Sequence, residues 1–234
     1  PTRRSSDLGC DVDYSLGNNF ADFASQFSKD SRYRTELYKL RRKFMSHADG
    51  LIHADLHTSN ILASRDEMKV IDMEFAFMGP FGYDLGYLVG NLISQYCAAC
   101  FKRFPSEQNR KQFKAYLLAT IQSLIETYMK TFTLCWERSV KERYRGQQGL
   151  LQSILQEVMV DMPGYASMVN WFRSVSDIPY PDFDVIENKD AKRNATVLSL
   201  MIDWGIMFGR YKYQSADDLI ETIIGIEEEF RKSL

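Results

Sequence analysis

The sequence predicts an α+β fold, mostly helical, with a small strand-and-loop insert towards its N-terminus. Three observations predict it. Apolar residues recur at helical spacing over most of the chain. Between residues 51 and 72 they fall instead into short extended runs separated by polar residues. Gly and Pro gather in two stretches, after residue 78 and between residues 163 and 181, where they punctuate the helical pattern. The chain has 234 residues, 45% hydrophobic and 26% charged, enough for one domain with its own core and too apolar for a disordered segment.

The elements follow in order. Residues 30–47 read as a helix, with Leu37, Leu40 and Phe44 on one face and Gly50 just beyond its end. Leu51–Ala54, Ile61–Ala63 and Lys69–Asp72 read as short extended pieces, and residues 64–67 as a turn. Residues 73–83 read as an irregular, unusually apolar loop, because Gly79, Pro80 and Gly82 interrupt it. Asp84 is then expected as the N-cap and loop organiser of a helix whose stripe is Leu85, Leu88, Val89, Leu92, Ile93 and Tyr96. Further helices are expected around residues 113–128, 150–160, 191–210 and 215–230, with a loop through Pro163, Gly164, Pro179 and Pro181. Residues 1–10 show no periodicity and read as a non-native or truncated segment. Residues 11–234 read as the domain.

Charge and cysteine usage exclude several classes. The formal charge of −2 exerts no global pull on nucleic acid or an anionic membrane. No run of about eighteen apolar residues suggests a membrane span, and no signal peptide is visible, so the cytoplasm is the default compartment. Cys97 and Cys100 have metal or redox spacing, but they lie inside an apolar helical pattern with no second Cys/His pair, which favours core packing. A homodimer is compatible with everything in the sequence.

The chemistry lies between His53 and Asp84. The run from His53 to Asn60 fits H-x-D-x-x-x-x-N, the spacing of a phosphoryl-transfer loop. There an Asp orients the attacking hydroxyl and takes its proton, and an Asn reaches a magnesium ion. Asp55 is the candidate base and Asn60 a candidate metal and nucleotide ligand. His53 reads as a residue that orients the loop, His57 as one that contacts phosphate or packs the loop, and His47 as a surface residue. Twelve residues beyond Asn60 an extended run ends in Asp72, followed by Glu74. Carboxylates two apart point to opposite faces of a regular strand, but a turning chain brings both towards one metal. Magnesium prefers hard oxygen donors and keeps several waters, so Asn60, Asp72 and Glu74 suffice as its protein ligands.

The residues 51–58, Leu-Ile-His-Ala-Asp-Leu-His-Thr, resemble the L-I-H-G-D-L-H-T signature of the S-methyl-5-thioribose kinase family. The run from Asp72 to Gly86 resembles that family's D-x-E-F-A-F-x-G-P-x-G-F-D-I-G, and Gly90-Asn91-Leu92 continues the match. The resemblance implies a protein-kinase-like C-terminal lobe, related to aminoglycoside phosphotransferases and choline kinases, with the catalytic and metal-binding loops on a short β-hairpin. It implies ATP and Mg²⁺ as cofactors, and a small-molecule sugar as the partner of ATP. The implied activity is phosphorylation of the 1-hydroxyl of S-methyl-5-thioribose in methionine salvage. It also implies a substrate role for Arg210. In three places the chain departs from the family pattern. Ala54 replaces a Gly, Ser59-Asn60 replaces Gly-Ser, and Gly209 replaces the first Arg of a pair, a loss that Arg193 or Lys212 could make good. The family's apolar substrate tail would find a wall in Phe75, Phe77 and Met78, side chains that serve equally for packing. No Gly-rich phosphate loop and no strand Lys occurs in the chain, so the nucleotide-clamping lobe is expected to precede Asp11, and the fragment alone to bind ATP weakly. The alternatives are another aminoglycoside- or choline-kinase-like phosphotransferase, or a non-catalytic module that keeps the lobe's fold.

Overall fold

A computed structural model of the chain describes residues 29–176 and 180–234. Cys10, Pro179 and the segment 1–10 lie outside the described residues. The first helix described, α1, covers Ser31–Ser46. Its start is fixed by Asp30, whose carboxylate accepts the backbone N–H groups of Arg32 and Tyr33 at 2.8 and 3.2 Å. It buries Tyr33, Glu36, Leu37, Leu40 and Phe44, one stripe at helical spacing.

Four short strands follow: β1 (Gly50–Ile52), β2 (Ile61–Ala63), β3 (Met68–Val70) and β4 (Phe77–Gly79). They form two antiparallel pairs. β2 pairs with β3, placing Ile61 opposite Val70, and β1 pairs with β4, placing Ile52 opposite Phe77. The β4 strand corrects the expectation of an irregular loop over 73–83. Its three residues are held by β1, a partner 27 residues upstream that local composition does not reveal.

The rest is helical: α2 (Gly82–Phe101), α3 (Glu107–Ser139), α4 (Gln148–Val175), α5 (Pro181–Asp184), α6 (Lys189–Gly209) and α7 (Ala216–Lys232). Three expectations change here. Asp84 is not the N-cap of α2. The helix starts at Gly82, and Asp84 sits in its first turn, where its carboxylate is free to reach the neighbouring loop. The helix expected over 113–128 extends to 107–139, started by Ser106 as its cap. The loop expected at Pro163 and Gly164 is the middle of α4. A proline there leaves the helix one hydrogen bond short. The carbonyl left without its donor is that of Met159, and packing of the buried residues on either side of Pro163 outweighs the loss.

Helix α2 sits very close to α4. A side chain at Gly86 would meet the Met162 carbonyl at 2.6 Å, and one at Gly90 the Ala166 carbonyl at 2.5 Å. Only glycine permits that approach. A buried chain of hydrogen bonds then ties the two helices to α6: Ser94 Oγ donates to Asn170 Oδ1 and Asn170 Nδ2 to Asp203 Oδ1, each at 2.7 Å. Cys97 and Cys100 are buried in the same core, as core packing requires, and burial pushes both thiols up, that of Cys100 to about 12. A second apolar cluster joins Leu37, Leu40 and Phe44 of α1 to Ile52, Ala54, Tyr83 and Tyr165. It forms the floor beneath the polar loop. No helix among the described residues is long and apolar enough to cross a membrane.

Candidate active site

The loop 53–60 joins β1 to β2, and α2 holds it at three points. Asp84 accepts the backbone N–H groups of His53 and Ala54, at 2.6 and 2.9 Å. Tyr87 donates its hydroxyl to Asp55 Oδ1 at 2.9 Å. Asn91 Oδ1 accepts both the backbone N–H and the hydroxyl of Thr58, at 3.1 and 2.7 Å. Asp84, Tyr87 and Asn91 are spaced i, i+3 and i+7, so they lie along one face of the helix. Burial raises the Asp84 carboxyl above its ordinary range, against the two backbone donors that favour its ionised form.

Within the loop, His53 is buried and donates Nε2–H to the Ile71 carbonyl at 2.8 Å. That leaves Nδ1 to accept the backbone N–H of Asp55 at 3.3 Å. The imidazole therefore links the loop to the end of the β2–β3 hairpin, as an orienting residue would. Asn60 is buried and gives Nδ2 to the Asp55 carbonyl at 3.0 Å, while its own carbonyl accepts from Ile71. His57 Nε2 lies 3.5 Å from Asp55 Oδ2. His47, at the end of α1, is exposed.

Two residues here adopt left-handed backbone conformations, Ala54 at φ 67° and Asp72 at φ 66°. Asp tolerates this region, whereas Ala is strained in it by about 1–2 kcal/mol. Ala54 is buried in the apolar floor while its N–H is held by Asp84, so the surroundings enforce the strain. Ala54→Gly is expected to leave stability unchanged or raise it by about 0.5 kcal/mol, since relief of strain exceeds the added unfolded-state entropy. Ala54→Val is expected to cost about 2 kcal/mol or more, because a β-branched residue fits this region poorly. Denaturant unfolding of the two variants checks both; equal stabilities would contradict the strain.

Asp72 and Glu74 follow β3 and are exposed, with no hydrogen bond or ion pair found for either among the described residues. No group of three or more His, Cys, Asp or Glu residues placed to hold a metal occurs among the described residues. Two carboxylates and one amide oxygen do not need such a group, and they are donors of the hard type magnesium takes.

Arg210 stands elsewhere. It is 2% exposed, and its guanidinium donates to Glu36 Oε2 at 2.8 Å, to the Val160 carbonyl and to the Tyr211 hydroxyl. Burial disfavours charge on Glu36, but hydrogen bonds from Arg210, Lys39 and Tyr211 outweigh it and hold the carboxyl at about 2. This placement departs from the expectation of a substrate-facing arginine: Arg210 ties α6 to α1 and α4. A side chain at Gly209 would meet the Tyr213 hydroxyl and ring, so an Arg there requires Tyr213 to shift. Phe77 packs edge-on against Phe44 at 5.1 Å, and Met78 faces outward, half exposed.

Sequence reasoning missed Tyr87 and the role of Asn91. Their signal was the helical spacing from Asp84, once Asp84 was read as a loop organiser. The same stretch lies where the chain is similar to known proteins. Residues 16–124 match the phosphotransferase enzyme family. The matched stretch is just under half of the chain. Loop 53–60, the Asp72–Glu74 pair and the three clamping residues of α2 all fall inside it. The chain is also similar to proteins named methylthioribose kinase. That of Geobacillus thermodenitrificans is 32% identical over 214 residues, covering 90% of this chain and 52% of the relative. That of Geobacillus kaustophilus is 33% identical over 205 residues, covering 86% and 49%. That of Exiguobacterium sibiricum is 35% identical over 137 residues, covering 58% and 33%. The chain spans about half the length of the first two.

Proposed function

We propose that this chain supplies the acceptor and metal loops of a small-molecule kinase that phosphorylates the 1-hydroxyl of S-methyl-5-thioribose with ATP. The observation that carries the reading is the carboxylate of Asp55, presented on a loop that α2 fastens on both sides and at the carboxylate itself. Similarity to proteins named methylthioribose kinase supports the choice of sugar.

In this reading Asp55 orients the acceptor hydroxyl and takes its proton as the new oxygen–phosphorus bond forms and the bond to the departing ADP oxygen breaks. Asp72, Glu74 and the Oδ1 atom of Asn60 would hold magnesium. The Asn60 amide is already turned by its Nδ2 bond to the Asp55 carbonyl. Magnesium, when bound, neutralises charge on the phosphates. His57, 3.5 Å from Asp55 Oδ2, would meet the transferring phosphoryl group. Arg210 would then act on the substrate only through the packing of α1 and α4.

The test is a set of kinase assays on the complete protein with MgATP and one acceptor at a time: methylthioribose, choline or an aminoglycoside. Methylthioribose is expected to exceed the other two in kcat/KM by about tenfold or more, because cationic acceptors need carboxylates or an aromatic cage of their own. Faster turnover of choline or the aminoglycoside would move the protein to another phosphotransferase specificity. No turnover of any acceptor would favour a non-catalytic module.

A further inference from the structure

The Asp55 carboxylate has two oxygens in different surroundings. Oδ1 accepts the Tyr87 hydroxyl at 2.9 Å, whereas the polar partner found for Oδ2 among the described residues is His57 Nε2 at 3.5 Å, beyond a good hydrogen bond. An aspartate carboxylate turns easily about its last torsion, so one strong donor on one oxygen sets its plane. Tyr87 is well suited to do so. It rides on α2 between Asp84 and Asn91, which are bonded to the loop on either side of Asp55. Its ring is flanked by Tyr83, centroids 6.0 Å apart, and by His57 at 6.5 Å. Burial, and then the Asp55 charge, raise its hydroxyl far above the usual tyrosine range, so it remains a donor.

We propose that Tyr87 is a positioning residue for phosphoryl transfer: it ties down Oδ1 of Asp55 so that Oδ2 is presented to the acceptor hydroxyl. The inference rests on the phosphoryl-transfer reading above and adds to it a group outside the H-x-D-x-x-x-x-N and D-x-E motifs. The rigid element is the helix face, and the carboxylate it aims is partly exposed.

The experiment is a double-mutant cycle in the complete protein with Tyr87→Phe, Asp55→Ala and both together. Thermal midpoints and steady-state kinetics are measured for each, and residual turnover of the Ala variants over long incubations. Tyr87→Phe keeps the ring and removes only the donor. It is expected to lower kcat about tenfold, the worth of one hydrogen bond at the reacting group, with KM for ATP and acceptor within about twofold. In the Asp55→Ala background the same change is expected to do nothing further to the residual rate. A wild-type kcat for Tyr87→Phe would overturn the proposal. So would a change confined to KM, or an equal loss in both backgrounds, which is the mark of a general structural role. If Asp55→Ala itself kept wild-type turnover, the phosphoryl-transfer reading would fall, and this inference with it. If Asp55→Ala abolishes turnover and Tyr87→Phe is silent, only the inference falls.

Discussion

Asp55→Asn is expected to cut turnover by about a thousandfold or more, while the thermal midpoint moves by no more than a few degrees. The rate loss follows from removing the anion beside the attacking oxygen, because proton transfer and electrostatic stabilisation each supply several powers of ten. The small structural effect follows from how the loop is held. Its backbone bonds run to Asp84 and Asn91, and Asn60 reaches the main-chain carbonyl of residue 55, not its side chain. An Asn at position 55 can still accept the Tyr87 hydroxyl. Saturating kinetics and a thermal melt of the complete protein check both halves. Near-wild-type turnover would remove Asp55 from the chemistry, and a collapsed midpoint would show that its charge holds the loop.

Asp72→Asn with Glu74→Gln is expected to abolish most of the magnesium-dependent gain in ATP affinity, with turnover about a hundredfold or more down. The amides are chosen for the backbone. Asp72 has φ 66°, a conformation Asn adopts and Ala does not adopt without strain. Both side chains are exposed and without a partner among the described residues, so nothing in the fold depends on their charge. Calorimetry of ATP binding with and without Mg²⁺, on the wild type and the double variant, isolates the effect. Identical magnesium dependence in the two proteins would exclude the pair as ligands.

The legible parts of the sequence were those set by local chemistry. The H-x-D-x-x-x-x-N run, the strands at 51–52, 61–63 and 69–70, and the stripe on α2 all announce themselves within a dozen residues, although the extended pieces stop short of 54 and 72, where the backbone turns left-handed. The illegible parts depend on partners distant in sequence. Strand β4 exists because β1 pairs with it, and the helix runs through Pro163 because the packed faces around it outweigh the missing bond. The surroundings of Arg210 were hidden for a related reason. A lone Arg at a helix end reads equally as a substrate ligand or a structural cation, and its partner Glu36 lies 174 residues upstream. Tyr87 was hidden because a tyrosine beside an apolar stripe reads as core, and only the loop's position shows where its hydroxyl points. Ala54, noted only as a departure from a glycine, turned out to occupy the left-handed conformation that explains why glycine suits the position.

The most direct test of the account is the identity of the product. Phosphorus NMR of the complete protein incubated with MgATP and methylthioribose is expected to show a sugar phosphate ester coupled to the proton on carbon 1, formed in step with ADP. It is expected to be lost when Asp55→Asn replaces the wild type. ATP consumed with only inorganic phosphate appearing, or an ester on another hydroxyl, would contradict an acceptor loop built to present Asp55 to the 1-hydroxyl.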